Sequence, residues 1–141
     1  MERISARAVL LTDQNQVVLV HRVKDGAEYW VTPGGGVEAG ESAEEAVRRE
    51  VREEVGVSVI VEAKLLEVRK EVEGVQTVQL FFLCRQQGGT VGTGSGREFS
   101  QPDPHNVYEI VTVGKEEAAV LNILPSEIKT HIVRLLTGAA Q

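Results

Sequence analysis

A single cysteine, Cys84, leaves this chain of 141 residues without the means for an internal disulfide. It sits in the apolar run VQLFFLC and reads as a buried core thiol rather than a nucleophile. No apolar run approaches the roughly 20 residues that a helix needs to cross a bilayer. Basic residues are also in short supply: 15 Lys and Arg stand against 21 Asp and Glu, a formal charge of −6. That balance argues against an extended nucleic-acid surface, which wants clustered Lys and Arg, and none is expected. The first residues carry Glu2 and an alternating pattern rather than an apolar signal core, so no signal peptide is expected and the cytoplasm is the expected location. The length suits one hydrophobic core and no second unit, so one domain spanning residues 1–141 is expected.

What the chain does have is concentrated between Gly34 and Gly56, in GGGVEAGESAEEAVRREVREEVG. Ser42 followed by Glu45 forms a capping box and predicts a helix start. Ala43, Val47, Val51 and Val55 recur at four-residue steps, with Ala46 beside them, and predict the face that meets a sheet. Gly56 predicts the left-handed residue that ends the helix. Glu50, Glu53 and Glu54 stand at i, i+3 and i+4, so their side chains rise from one face. They crowd the helix C-terminus, where the macrodipole disfavours negative charge. Two readings fit this pattern: a solvated face laced by Glu45–Arg49 and Arg49–Glu53 pairs, or a site for a hard divalent cation with oxygen ligands. Three consecutive glycines in front favour the second, since a solvated helix has no need of them.

From Gly35 to Val57 the chain resembles the Nudix hydrolases. Their signature is a Gly, five residues, a Glu, seven residues, Arg-Glu, an aliphatic, any residue, Glu-Glu, any residue, Gly and an aliphatic. It is matched here by Gly35, Glu41, Arg49-Glu50, Val51, Glu53-Glu54, Gly56 and Val57, over about a sixth of the chain. The resemblance implies an α/β/α sandwich with a mixed β-sheet. It also implies that Glu50, Glu53 and Glu54 bind a catalytic Mg²⁺ or Mn²⁺, joined by the carbonyl of Gly34. Arg49 would orient the carboxylates, a task its bidentate guanidinium suits. Glu41, with Gly35 and Gly56, would be structural. Glu50 is a candidate general base, and Glu109 in VYEIVTV is the candidate for a further metal carboxylate from a late strand.

The rest of the chain places these residues. ISARAVLLTDQNQVVLVHRVKDG predicts two strands around a turn at residues 13–16. Tyr29, Trp30 and Val31 lead through Pro33 into the glycines as a loop, with Trp30 a core or hinge contact. Arg22 and Lys24 are candidates for meeting phosphates, and Tyr29 for stacking on a base; His21 reads as a solvated strand-end residue. Beyond the helix, VSVIVEAKLLEVRKEV and VQTVQLFFLCRQ predict two strands joined by a turn at Glu73-Gly74. From Gln87 to Asn106 a glycine- and proline-rich stretch predicts a long substrate-facing loop, with Arg97, Phe99 and His105 as its contact candidates. KEEAAVLNIL predicts a short helix or turn. PSEIKTHIVRLL predicts an amphipathic helix with Pro125 in its first turn, Ile128, Ile132 and Leu135 or Leu136 inward, and His131 at its surface. The order is β–β–loop–α–β–β–loop–β–α.

The expected activity is hydrolysis of the pyrophosphate linkage in a nucleoside diphosphate joined to another group, with a small nucleotide as substrate. Around Lys70 to Val75 the chain lacks both the proline associated with ADP-ribose cleavage and the tyrosine associated with dinucleoside polyphosphates. A small single domain favours a (deoxy)nucleoside triphosphate, oxidised ones included. Dinucleoside polyphosphates, nucleotide sugars and a 5′-end of RNA stay open as substrates, as does a non-catalytic nucleotide-sensing domain. The signature residues that such a domain would be expected to lose are intact. Monomer and homodimer are equally compatible with the sequence.

Overall fold

The computed structural model describes residues 2–94 and 105–138. In chain order the elements are β1 (Glu2–Leu11), β2 (Val17–Lys24), β3 (Ala27–Val31), β4 (Gly34–Gly36), α1 (Ala43–Glu54), β5 (Val57–Val72), β6 (Val75–Gly89), β7 (Asn106–Val113), α2 (Lys115–Val120) and α3 (Ser126–Thr137). The strands make one mixed sheet in the order β3-β2-β1-β6-β5, with β4 added to β1 and β7 to β2. Among the described strands β1 and β6 run parallel, from Glu2↔Gln76 to Leu11↔Arg85, and the other strand pairs are antiparallel. Among the described residues no helix is long and apolar enough to cross a membrane.

Alternation along the strands builds two cores. On one face Ala6, Ala8, Leu10 and Val18 pack with Ala46, Val47 and Val51 of α1 and with its C-cap Val55. On the other, Val9, Val17, Leu19 and Phe81 pack with Ala118 of α2 and with Ile128, Ile132 and Leu136 of α3. Helices therefore cover both faces, and the structure is the expected α/β/α arrangement around a mixed sheet. The capping box is formed as expected: Glu45 N–H donates to Ser42 Oγ at 3.0 Å, and Ser42 N–H to the Glu45 carboxylate at 2.8 Å. Loss of such a cap costs about 1 kcal/mol. In α3, Pro125 is the N-cap rather than part of the first turn, Leu136 is the buried leucine, and His131 is half-buried.

The chain departs from the expected order between residues 27 and 36. What reads as a loop is two short strands. β3 pairs with β2 from Val20↔Val31 to Lys24↔Ala27, and β4 pairs with β1 from Ser5↔Gly36 to Arg7↔Gly34. Glycines carry no side-chain alternation, so nothing in the sequence of β4 marks it as a strand; its identity comes from the partner strand. β6 likewise runs to Gly89, which shortens the expected loop.

One feature of the sheet creates the site. β1 and β2 pair only at Leu11↔Val17. Beyond that point β2 takes β3 and β7 as neighbours while β1 takes β4 and β6. The sheet forks, and the open side of the fork faces the C-terminal end of α1.

Candidate active site

Arg49 organises the helix end. Its guanidinium has five N–H groups, and the structure gives five hydrogen bonds. Nε and Nη2 hold the two oxygens of Glu41 at 2.8 and 3.0 Å. Nη1 reaches Glu50 at 2.9 Å and Glu53 at 3.1 Å, and Nη2 also reaches the carbonyl of Gly36 at 3.0 Å. The Arg49 fork holds the Glu41 carboxyl well below its usual range, down to about 2, helped by the Glu38 N–H. Glu41 in turn raises the affinity of Arg49 for its proton. One guanidinium thus ties the loop before α1 to two carboxylates on it.

The glycines make room for those carboxylates. A Cβ on Gly35 would lie 2.6 Å from Glu50 Oε1. On Gly34, whose φ is +153°, it would strike the Ala6 carbonyl oxygen at 2.2 Å and prevent β4 from pairing with β1. Gly56 has φ of +91° as expected for a helix-ending residue, and a Cβ there would also lie 2.2 Å from Thr93 Oγ1. The contact is mutual: a Cβ on Gly94 would meet the Glu54 carbonyl oxygen at 2.4 Å. Residues 92–94 therefore lie directly on the end of α1, a packing that the glycine-rich composition of this stretch permits.

Glu54 points the other way, into the fork. Gly34 N–H donates to its Oε1 at 2.7 Å and the Tyr108 hydroxyl to its Oε2. Burial pushes its carboxyl above the usual range, against the opposing effect of those two hydrogen bonds. It lines a cavity of about 330 Å³ together with Arg7, Val20, Arg22, Lys24, Tyr29, Val31, Gly34 and Tyr108. A second cavity of about 350 Å³ shares Arg7 and Val31 with the first and continues along Lys70, Gln79, Leu124, Pro125 and Ser126. Arg7, on β1 between Ala6 and Ala8, donates to the Thr32 carbonyl at 3.0 Å. Burial acts against its charge and Glu54 supports it.

Of the residues singled out from the sequence, Glu41, Arg49, Glu50, Glu53 and Glu54 come together with Gly34 and Gly35, and Arg22 and Tyr29 line the cavity beside them. Glu109 does not join them. It pairs with His21 across β2 and β7, one step out of phase with the Arg22↔Tyr108 pair, so its side chain leaves the opposite face of the sheet. There it hydrogen-bonds His21 Nδ1 at 3.0 Å, while Glu28 takes Nε2 at 2.7 Å and the imidazole stacks on Trp30 at 4.7 Å. The late-strand residue that reaches the acidic helix is Tyr108. Arg97 and Phe99 lie outside the described residues, and His105 is exposed at the start of β7.

Sequence reasoning missed Arg7, Tyr108 and Gly94. A charged residue inside the otherwise apolar ARAVLL was the available signal for Arg7, because such residues are rarely buried without a task. Cys84 is buried as expected, and burial pushes its thiol up to about 12.

Among the described residues, no three acidic, His or Cys side chains are gathered as a metal cage. The carboxylates are instead engaged by Arg49, Gly34 and Tyr108. The donor set nevertheless fits a hard cation: it is all oxygen, it comes from three glutamates in two turns of one helix, and Gly35 leaves space against the Glu50 carboxylate.

A family model described as the NUDIX domain matches residues 1–128. The 8-oxo-dGDP phosphatase NUDT18 of Mus musculus is 31% identical over 150 residues, which take in 92% of this chain and 46% of that protein. A putative 8-oxo-dGTP diphosphatase of Bacillus subtilis (strain 168) is 45% identical over 60 residues, 43% of this chain and 39% of that protein. The chain thus aligns with less than half the length of either relative. Among solved structures, a NUDIX hydrolase from Nitrosomonas europaea superposes with a TM-score of 0.72 at 20% identity, covering 99% of this chain and 90% of that one. At that identity the likeness is one of fold.

Proposed function

The chain belongs to the NUDIX domain family, and on that premise we propose that it is a divalent-metal-dependent hydrolase of the pyrophosphate linkage in a (deoxy)nucleoside triphosphate. The observation that carries the reading is the juxtaposition in the fork. Glu54, from the acidic helix end that Arg49 organises, lines a cavity that Arg7, Arg22 and Lys24 also line. A carboxylate and three cationic side chains around one cavity suit a polyphosphate that brings divalent cations with it.

Glu50, Glu53 and Glu54, with the Gly34 carbonyl, would hold Mg²⁺ or Mn²⁺, which supplies charge neutralisation of the pyrophosphate and activation of water. The protein's own residues do the rest. Arg49 fixes the Glu50 and Glu53 carboxylates so that little reorganisation accompanies substrate arrival. Arg7, Arg22 and Lys24 meet the phosphate oxygens, Arg22 and Arg7 through directional N–H groups and Lys24 as a point charge. Glu50 accepts the proton of the attacking water; Glu54 suits that task less, since both its oxygens already accept hydrogen bonds. The second cavity, with Val31, Leu124 and Pro125 beside Gln79 and Ser126, offers the nucleoside an apolar wall and polar groups at its edge.

The names of the two relatives direct attention to oxidised guanine nucleotides among the possible substrates. The test is product analysis over a panel of dNTPs, 8-oxo-dGTP, 8-oxo-dGDP, nucleotide sugars, ADP-ribose and dinucleoside polyphosphates, with Mg²⁺ and with Mn²⁺. The expected outcome is a nucleoside monophosphate released from a triphosphate far faster than from the other compounds. A nucleotide sugar or dinucleoside polyphosphate cleaved faster than every triphosphate would overturn the substrate class.

A further inference from the structure

We propose that Tyr108 is a positioning residue that couples the acidic wall of the cavity to its cationic wall, its hydroxyl setting Glu54 and its ring setting Arg22. The inference rests on the reading of this cavity as a metal–nucleotide site and names a determinant of it outside the Nudix signature. Tyr108 stands opposite Arg22 in the β2–β7 register, so both side chains leave the same face of the sheet. The Arg22 guanidinium carbon lies 5.0 Å from the centre of the Tyr108 ring, within the range of a cation–π contact. Nη2 of the same guanidinium donates to Asn106 Oδ1 at 3.1 Å. The ring and Asn106 therefore fix the plane of the guanidinium from two sides.

At its other end the tyrosine holds Glu54. With the hydroxyl on Oε2 and Gly34 N–H on Oε1, both carboxylate oxygens are fixed and the group has little freedom to rotate. A hydrogen bond from behind is how proteins commonly orient a metal-binding carboxylate. Arg22 supplies the second observation. Its Nε is buried and without a hydrogen-bond partner among the described residues, although the side chain lines the cavity. A buried donor of this kind is poorly satisfied in the free protein and well served by an incoming oxyanion. Removing the ring would release the guanidinium from the orientation that presents it.

The two halves of the proposal separate experimentally. Tyr108→Phe deletes the hydroxyl and keeps the ring; Tyr108→Leu deletes both. Mn²⁺ affinity is read by electron paramagnetic resonance. Nucleotide affinity is read by titrating dGTP in EDTA, with thermal melting to establish that each variant is folded. Tyr108→Phe is expected to weaken Mn²⁺ binding roughly 10-fold or more with metal-free dGTP affinity unchanged. Tyr108→Leu is expected to weaken both, and Arg22→Met to reproduce only its loss of dGTP affinity. Wild-type Mn²⁺ affinity in folded Tyr108→Phe would overturn the role toward Glu54. Equal loss of dGTP affinity in the Phe and Leu variants would overturn the role of the ring. Both readouts are binding measurements, so they decide the role of Tyr108 even where the wild type cleaves nothing on the substrate panel.

Discussion

The two faces of the β2–β7 pair carry similar constellations with different prospects. On one face Arg22 lies over Tyr108, which bonds Glu54 at the edge of a cavity. On the other, one residue away along each strand, His21 stacks on Trp30 and bridges Glu28 and Glu109. Each face joins a nitrogen base, an aromatic ring and carboxylates. The first opens into the fork beside α1, whereas on the second Glu28 and Glu109 are more than half exposed. Strand parity, not residue chemistry, decides which set faces the acidic helix.

The comparison breaks most sharply at Arg49. Lysine offers three N–H donors in place of five, so Arg49→Lys cannot hold Glu41, Glu50, Glu53 and the Gly36 carbonyl together. Turnover should fall by at least the roughly 10–100-fold that a lost outer-shell partner costs a metal site, with the protein still folded by circular dichroism. Near-normal turnover would remove Arg49 from the account. Next comes Gly35→Ala. The added methyl displaces the Glu50 carboxylate rather than the backbone, so kcat should drop about tenfold while Tm changes little. If Tm fell and kcat per folded molecule did not, Gly35 would be serving the strand and not the carboxylate.

Three smaller effects address the opposite face and the helix start. Glu109→Gln should leave turnover within about twofold of wild type, since Glu109 lies behind the sheet; a large loss would return it to the site. The same face has a pH signature. Burial acts to lower the His21 pKa, but the hydrogen bonds and charges of Glu109 and Glu28 outweigh it, and the folded value lies above the ordinary 6.5. The stabilisation from charged His21 is therefore fully present below about pH 6.5 and is lost as pH rises through the higher folded pKa. Tm measured from pH 5 to pH 8 should show this loss in wild type and lack it in His21→Gln. Least of all, Ser42→Ala should cost about 1 kcal/mol in denaturant unfolding and leave kcat nearly untouched.

How much of this could be read in advance follows from how local each feature is. Ser42, Arg49 and the three glutamates belong to one helix and its cap, where spacing is local: the capping box forms at Ser42, Arg49 gathers Glu50 and Glu53, and only Glu54 turns away, to Gly34 and Tyr108. β1, β2 and β5 were readable as strands from their residues, and the turn at Glu73-Gly74 by its residues, both with positive φ. β4 was not readable, because three glycines have no pattern and become a strand only through β1. Glu109 was misplaced for the same reason: VYEIVTV alternates in either phase, and only pairing with β2 assigns Tyr108 to the cavity. Arg7 reaches the site through the fork between β1 and β2, a property of sheet topology that no single segment contains.

The central claim is that the acidic helix end and the cationic wall of the fork form one divalent-dependent site. Its most direct test is nucleoside monophosphate release from 8-oxo-dGTP and dGTP by wild type and Glu53→Gln, each with Mg²⁺ or Mn²⁺ and again with EDTA. Glu53 is half-exposed and lies outside both cores, so the variant should fold normally. The account predicts hydrolysis that requires metal and falls in Glu53→Gln by more than the roughly 10–100-fold of an outer-shell loss. Hydrolysis that persists in EDTA, or that Glu53→Gln leaves intact, would contradict it.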